Sequence, residues 1–274
     1  MKYILLIFLF ISNTPIYAQQ VQDSSKRRDN LFHPTPKKFM RDFATDRPDV
    51  TESAYTVDAG HFQLETDLFK TERYHLNGTK TFNNSYNAAN LKLGITQTLD
   101  VQVVVNTLSV SKFKNGNYTS NESGFGGFTL RTKKNLWGND NGKSALSVLP
   151  FIDIPTTAGR KVSGGIVFPF ALALPHDWDF GSQIETDFER NETGKNYHLN
   201  FLASVTTSHS LLKDMDFFVE GVITKDGEAS TYEYFINGGP VYSLSGNVNI
   251  DCGVYYGLKK ISSKTYFIGL SFRI

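Results

Sequence analysis

The sequence predicts an all-β protein: a single closed antiparallel transmembrane β-barrel of about 12 strands, of the outer-membrane type. Three observations predict it. After Gly60 the apolar residues recur at every second position almost to the end of the chain. The alternating segments have the ~9–11 residues that a strand needs to cross hydrocarbon, whereas soluble strands mostly run to about five or six. The connections between them differ in length by parity, as short periplasmic turns and longer outside loops require.

The alternation places strands near 61–71, 86–96, 98–111, 123–134, 143–154, 163–175, 179–189, 196–208, 214–224, 231–243, 246–257 and 264–274. Leu99, Val101, Val103 and Val105 share one face, with Asp100, Gln102 and Asn106 on the other. In the last strand Tyr266, Ile268, Leu270, Phe272 and Ile274 oppose Phe267, Gly269, Ser271 and Arg273, an ending of the kind that barrel-assembly machinery reads. The longer connections, near 74–85, 112–122, 156–161, 190–195, 225–229 and 259–263, follow the odd strands. The shorter ones follow the even strands, so both termini are expected in the periplasm. Closure follows from solvent: in lipid a free sheet edge leaves backbone groups unpaired. A secreted sandwich of seven to ten strands is the rival reading, and it needs solvent-covered outer faces that these apolar rows do not offer.

Composition narrows the function. The chain has 274 residues, 28 Lys plus Arg against 27 Asp plus Glu, and one cysteine, Cys252. The charge balance gives no basic stripe for nucleic acid, and one thiol excludes an intrachain disulfide and a multi-thiolate metal site. Mean hydropathy is −0.28, which excludes a helical membrane bundle but not a barrel. Met1-Lys2, an apolar run from Tyr3 to Ile11 and a polar stretch ending at Ala18 read as a secretory signal peptide over 1–18. Its removal takes only Lys2 from the charged residues, leaving 27 cations against 27 anions. Residues 19–53 are expected as a periplasmic N-terminal segment carrying a short helix over Lys37–Phe43, with a plug inside the barrel as the open alternative for the segment, and 54–274 as the barrel. Asp46, Arg47, Asp49 and Glu52 crowd around Pro48, and read as a solvated or mutually paired lead-in rather than a catalytic or metal site.

If the apolar rows face lipid, the opposite rows face a hydrated lumen. They carry Glu65, Asp67, Lys92, Arg131, Lys133, Asp153, Glu185, Asp187, His198, Glu220, Glu233, Asp251 and Arg273, with Gln63, Gln183, Asn200 and Asn249 among them. So many charges inside dry protein would be prohibitive. Their excess of carboxylates favours cations mildly. The small apolar row Gly165, Val167, Pro169, Ala171 and Ala173 interrupts the polar lining. Pro150, Pro169 and Pro240 in mid-strand suggest bulges, or in the case of Pro169 an apolar stripe for a hydrophobic solute. Trp137 and Trp178 are expected in periplasmic turns, as part of an interfacial girdle.

Three opening stretches carry a family resemblance: Leu31-Phe32-His33-Pro34-Thr35-Pro36-Lys37-Lys38-Phe39-Met40-Arg41, Thr45-Asp46-Arg47-Pro48-Asp49-Val50-Thr51-Glu52-Ser53 and Tyr55-Thr56-Val57-Asp58-Ala59-Gly60-His61-Phe62-Gln63. With Gly127–Arg131, Leu149–Thr156, Asn247–Leu258 and Gly269–Arg273, they resemble the outer-membrane "transporter" family catalogued under a MetA pathway of phenol degradation. The resemblance spans about residues 31–274. It implies a Gram-negative outer-membrane barrel that takes up or exports small, hydrophobic or aromatic compounds, with no assigned binding residues. The expected partners are outer-membrane lipid, barrel-assembly machinery during insertion and a small solute, with no cofactor, no metal and no nucleic acid. The chain is expected as a monomer or small homo-oligomer.

An enzyme at the lipid-facing rim would need a serine and a histidine together there. The six histidines, His33, His61, His75, His176, His198 and His209, show no ligand spacing, and none shares the lipid face with a serine. The expected function is therefore a channel or transporter without catalysis. The alternative is a structural or surface-binding barrel with a filled lumen.

Overall fold

A computed structural model describes residues 29–76, 78–140, 142–156, 161–191 and 196–274. The expected signal peptide, 1–18, lies outside the described residues. Twelve antiparallel strands form one closed barrel in which each strand pairs with its sequence neighbours and β1 pairs with β12. They are β1 (Phe62–Leu76), β2 (Thr79–Thr96), β3 (Leu99–Asn115), β4 (Tyr118–Trp137), β5 (Ser144–Ile154), β6 (Ser163–Leu174), β7 (Trp178–Arg190), β8 (Tyr197–Leu212), β9 (Met215–Lys225), β10 (Tyr232–Ser245), β11 (Val248–Gly257) and β12 (Lys264–Arg273).

The outward rows carry the large apolar side chains. Leu130, Ile152, Phe168, Ile184, Leu199, Val219, Ile236 and Ile268 are all among the exposed hydrophobic residues. This belt has no core to enter, and hydrocarbon is the solvent that fits it. The chain is an outer-membrane barrel. Trp137 and Trp178 are the last residue of β4 and the first of β7, rather than turn residues, and Trp178 stacks on His209 at 4.6 Å.

The first four strands are longer than their sequence suggests. The expected loops at 74–85 and 112–122 are mostly strand, since β1 ends at Leu76 and β2 begins at Thr79, and β3 and β4 are joined by a tight turn at 116–117; φ is 81° at Gly78 and 55° at Gly116. Beyond the membrane both faces of a strand meet water, so these ends carry Thr, Asn, Ser and Lys without apolar alternation and resemble loop in sequence. A line of irregularities crosses them. Leu68 is an extra residue between Asp67 and Phe69 in the pairing with β12, Asn87 has φ 51°, and Gly127 has φ 107°. The line reverses the faces. Asp67 pairs with inward Gly269, but Phe69 pairs with outward Ile268, so Arg73 comes to lie opposite Lys264 on the outer wall.

The mid-strand prolines produce no bulge. Pairing of β5 with β6 keeps one register from Leu146–Phe170 to Leu149–Val167 across Pro169, and pairing of β10 with β11 does so across Pro240. Each ladder simply omits the rungs beside the proline, where an N–H is missing. Val167 and Pro169 of the small apolar row are buried.

The end of the barrel holding the chain terminus and the turns 97–98, 138–143, 175–177, 213–214 and 246–247 is here the terminal end. The opposite end is the far end.

Candidate functional site

The inward side chains near the terminal end converge on residues 41–58. Of the two courses open to the N-terminal segment, its described part takes the one into the ring. Its described part begins at Asp29, and its only helix is a single 3-10 turn, Lys37–Phe39, because Met40 is already extended (φ −63°, ψ 141°). What draws the segment in is an unmet electrostatic demand. The wall offers carboxylates and ammonium groups that need partners, and the segment supplies both signs together with unpaired backbone N–H groups.

Chain order gives the contacts. At the rim, Leu31 N–H donates to Ile95 O at 2.9 Å and Thr35 N–H to Ala59 O at 2.9 Å. Arg41 Nε donates to Asp58 Oδ1 at 2.8 Å, while Arg273 Nη1 donates to Asp58 Oδ2 at 2.9 Å. Further in, the N–H groups of Asp46 and Arg47 both donate to the Glu65 carboxylate. Asp46 lies between Lys92 and Lys133, and Lys92 also bridges to Glu65. Arg47 clasps Asp251 with Nε and Nη2 (3.1 and 2.7 Å) and reaches Asp67 with Nη1. Gly269 makes this possible, since a Cβ there would lie 2.1 Å from Arg47 Nη2.

The segment then crosses to the opposite wall. The N–H groups of Val50 and Thr51 donate to Glu220, as does Thr51 Oγ1 at 2.6 Å, and Asn237 Nδ2 completes that carboxylate's partners at 2.6 Å. Glu52 N–H donates to Gln183 Oε1 at 2.7 Å, and its carboxylate pairs with Arg131. On the way back, Ala54 O accepts from Asn135 Nδ2 at 2.9 Å and from Ser147 Oγ. Val57 N–H donates to Asp100 Oδ2 at 3.0 Å. The return strand passes so close to β2 that a Cβ on Gly94 would lie 2.0 Å from Asp58 O.

This is a plug. Asp46, Arg47 and Glu52 are paired with the wall rather than solvated, and Glu52 also shares a side-chain hydrogen bond with Asp46. Burial opposes ionisation of Asp46, but Lys133 and Lys92 outweigh it and hold the carboxyl well below its usual range. Burial likewise opposes the charge on Arg47, and the bonds to Asp251 and Asp67 more than compensate, raising it above its ordinary value. Glu52 is pushed up to about 7, by burial first and then by Asp46, against the pull of Arg131. Asp49 is raised well above its usual value, by burial and by the neighbouring Glu220.

Residues 45–274 match the family described as "Putative MetA-pathway of phenol degradation". The chain belongs to this family. No curated protein matches it. Among solved structures, the transport unit of the autotransporter AIDA-I from Escherichia coli is 12% identical, with 77% of this chain and 88% of that chain covered at a TM-score of 0.52. The NanC porin is 9% identical, with 77% and 100% covered, at a TM-score of 0.50. At these identities the likeness is one of fold.

For this member of the family, the remaining residues expected in the lumen divide by height. Glu65, Asp67, Lys92, Arg131, Lys133, Glu220, Asp251 and Arg273 bond to the plug or its rim. Asp153, Glu185, Asp187, His198 and Glu233 lie nearer the far end, on strand positions beyond it. Asp153 accepts from Thr129 and Ser163, Glu185 from Gln183, and His198 faces Asn191 at 3.2 Å. Sequence reasoning missed Asn135 and Ser147, which hold Ala54 O, and Asn139, whose Oδ1 accepts from Thr56 N–H, as plug ligands. A buried amide or hydroxyl on an inward row is a usable signal, because it demands a backbone partner in the lumen.

Two cavities flank the plug. One of about 240 Å³, toward the far end, is lined by Val104, Phe151 and Val167 together with Glu52, Arg131, Asp153 and Glu185. The other, about 250 Å³, is lined by Thr51, Glu52, Ala54, Phe170, Ala171 and Gly181, among others. Glu52 borders both, and its N–H bond to Gln183 lies between Glu185 on one side and Gly181 on the other. A wider recess of about 760 Å³ opens at the terminal end beside Met40, Phe43 and Tyr242. Among the described residues no group of three or more His, Cys, Asp or Glu side chains is placed to hold a metal ion.

Proposed function

We propose that this protein carries small solutes across the outer membrane through its lumen, with residues 41–58 as a plug whose displacement opens the path. The supporting observation is that two cavities, one toward the far end and one toward the terminal end, both border Glu52 of the plug. A permanently closed scaffold has no use for space on both sides of its filling. The far-side cavity mixes apolar walls with one guanidinium and three carboxylates, which suits an amphipathic solute having an apolar or aromatic body and one polar group. No bond of the solute is made or broken; the work is selection and passage.

A second reading is a filled barrel acting as scaffold or surface binder, and it draws support from the density of ion pairs between plug and wall. A reversible tether separates the two. Thr51 Oγ1 and Ser204 Oγ are 2.7 Å apart, so Thr51→Cys with Ser204→Cys, in a chain with Cys252→Ser, places a disulfide between plug and β8. Planar-bilayer conductance is expected to be absent when oxidised and restored by reductant, and to be largest in a chain lacking residues 19–53. Silence in all three conditions would overturn the channel and leave the scaffold.

A further inference from the structure

We propose a binding site for the phosphorylated headgroup of an outer-leaflet lipid at the far end of the barrel, between the β1–β2 hairpin and the 258–263 loop. A recess of about 220 Å³ lies there, and its charged lining is Arg73, Lys80, Lys260 and Lys264, with His75 beside them and no carboxylate.

The arrangement of these cations is costly without an anion. Arg73 and Lys264 are directly opposed across β1 and β12, and Lys80 is directly opposed to Lys114 across β2 and β3. Directly opposed like charges destabilise a sheet. None of the four lining cations has a carboxylate partner among the described residues. The reversal of faces at Leu68 and Asn87 is what turns Arg73, His75 and Lys80 outward, so the fold departs from regular pleating to gather them.

A second observation is independent of charge. Ser262 lines the same recess, is 4% exposed, and its hydroxyl has no hydrogen-bond partner. Buried hydroxyls are nearly always satisfied. A phosphate oxygen is an acceptor that would satisfy this one while neutralising its neighbours.

The position selects a lipid over a free ion. The Arg73 guanidinium lies over the rings of Phe82 and Tyr266 (5.9 and 5.6 Å), and Tyr266 and Ile268 belong to the lipid-facing belt. A headgroup in the recess would therefore lay its acyl chains down an apolar wall, which a free phosphate cannot use.

The test is native mass spectrometry of the whole mature barrel in detergent, with three probes: a bis-phosphorylated, acylated glucosamine disaccharide, the same lipid without phosphates, and inorganic phosphate. The bis-phosphorylated lipid is expected to be retained, and the dephosphorylated one to be lost. Arg73→Gln with Lys264→Gln should weaken retention by roughly thirtyfold, at about fivefold per charge near a membrane surface. Ser262→Ala, which leaves the strand cations intact, should weaken it by a smaller factor. Lys80→Gln serves if the double variant fails to insert. Equal retention of the two lipids, or equal retention by wild type and variants, would overturn the site. Displacement of the lipid by millimolar inorganic phosphate, with phosphate itself bound, would overturn the lipid assignment.

Discussion

Replacing Arg47 by Leu removes the cation that joins the plug to β1 and β11. In the intact protein its guanidinium satisfies Asp251, whose side chain is 2% exposed, and Asp67. Without it two carboxylates are left close together on one wall, either side of Gly269. Breaking one partner of a buried ion pair costs about 3–5 kcal/mol. Water in the lumen favours the lower figure, and about 3 kcal/mol multiplies the undocked fraction roughly 150-fold. Thr51, 4% exposed beneath Glu220, reports docking when changed to Cys in a Cys252→Ser chain. Thiol labelling then proceeds only through the undocked state, so its rate follows that population. Lys70→Leu is the contrast. Its pair with Asp67 is long, at 3.7 Å, with the lysine side chain 37% exposed, and such loose pairs are worth ~0–1 kcal/mol, so labelling should rise less than about fivefold. Equal labelling rates in wild type and Arg47→Leu, with the barrel still folded by heat-shifted electrophoretic migration, would refute the reasoning.

Other outcomes follow from the same contacts. Gly269→Ala should release the plug partly, with an overpacking cost of about 1–3 kcal/mol because its Cβ meets Arg47, while Gly221→Ala, with open space around it, should leave labelling unchanged. Glu52 has a docked value of about 7, above its ordinary carboxylate value, so the docked plug holds the extra proton. That contribution is complete below the ordinary value and is lost as pH rises through about 7. Conductance should therefore increase between pH 5 and 8, and Glu52→Gln should flatten the rise. Asp46 is depressed and acts oppositely, favouring docking above its ordinary value and losing that contribution in acid, so Asp46→Asn should loosen the plug at neutral pH. Glu185→Gln with Asp187→Asn removes charge from the far-side lumen and should shift the reversal potential under a salt gradient toward anions; an unchanged potential would exclude an acidic selectivity region there.

The strand pattern was readable because lipid on one side and water on the other force period-two alternation, as in Val248 to Tyr256 on β11. Readability failed where that contrast ends. The outer halves of β1–β4 have water on both sides, so Thr79–Ser85 and Lys112–Asn115 look like loop. The face reversal at Leu68 was invisible too, since one extra residue changes register without changing composition. The charge cluster Asp46–Glu52 was conspicuous in sequence, but its partners are not its neighbours: Glu52 meets Arg131, and Arg47 meets Asp251. In sequence, water and a plug are both open as partners for those inward charges. Weighing both signs on the wall against both signs on the segment is the step that would have brought them together.

His61 stands where several ends of the molecule meet. One ring nitrogen faces Thr35 O at 2.7 Å and the other Ile274 O at 3.1 Å, while Phe62 and Ile274 exchange backbone hydrogen bonds. The seam of the wall and the doorway of the stopper thus share one fastening. A newly inserted chain that has not brought its last residue to its first strand lacks the anchor on which 35–60 turn inward. Loosening the one is therefore expected to loosen the other.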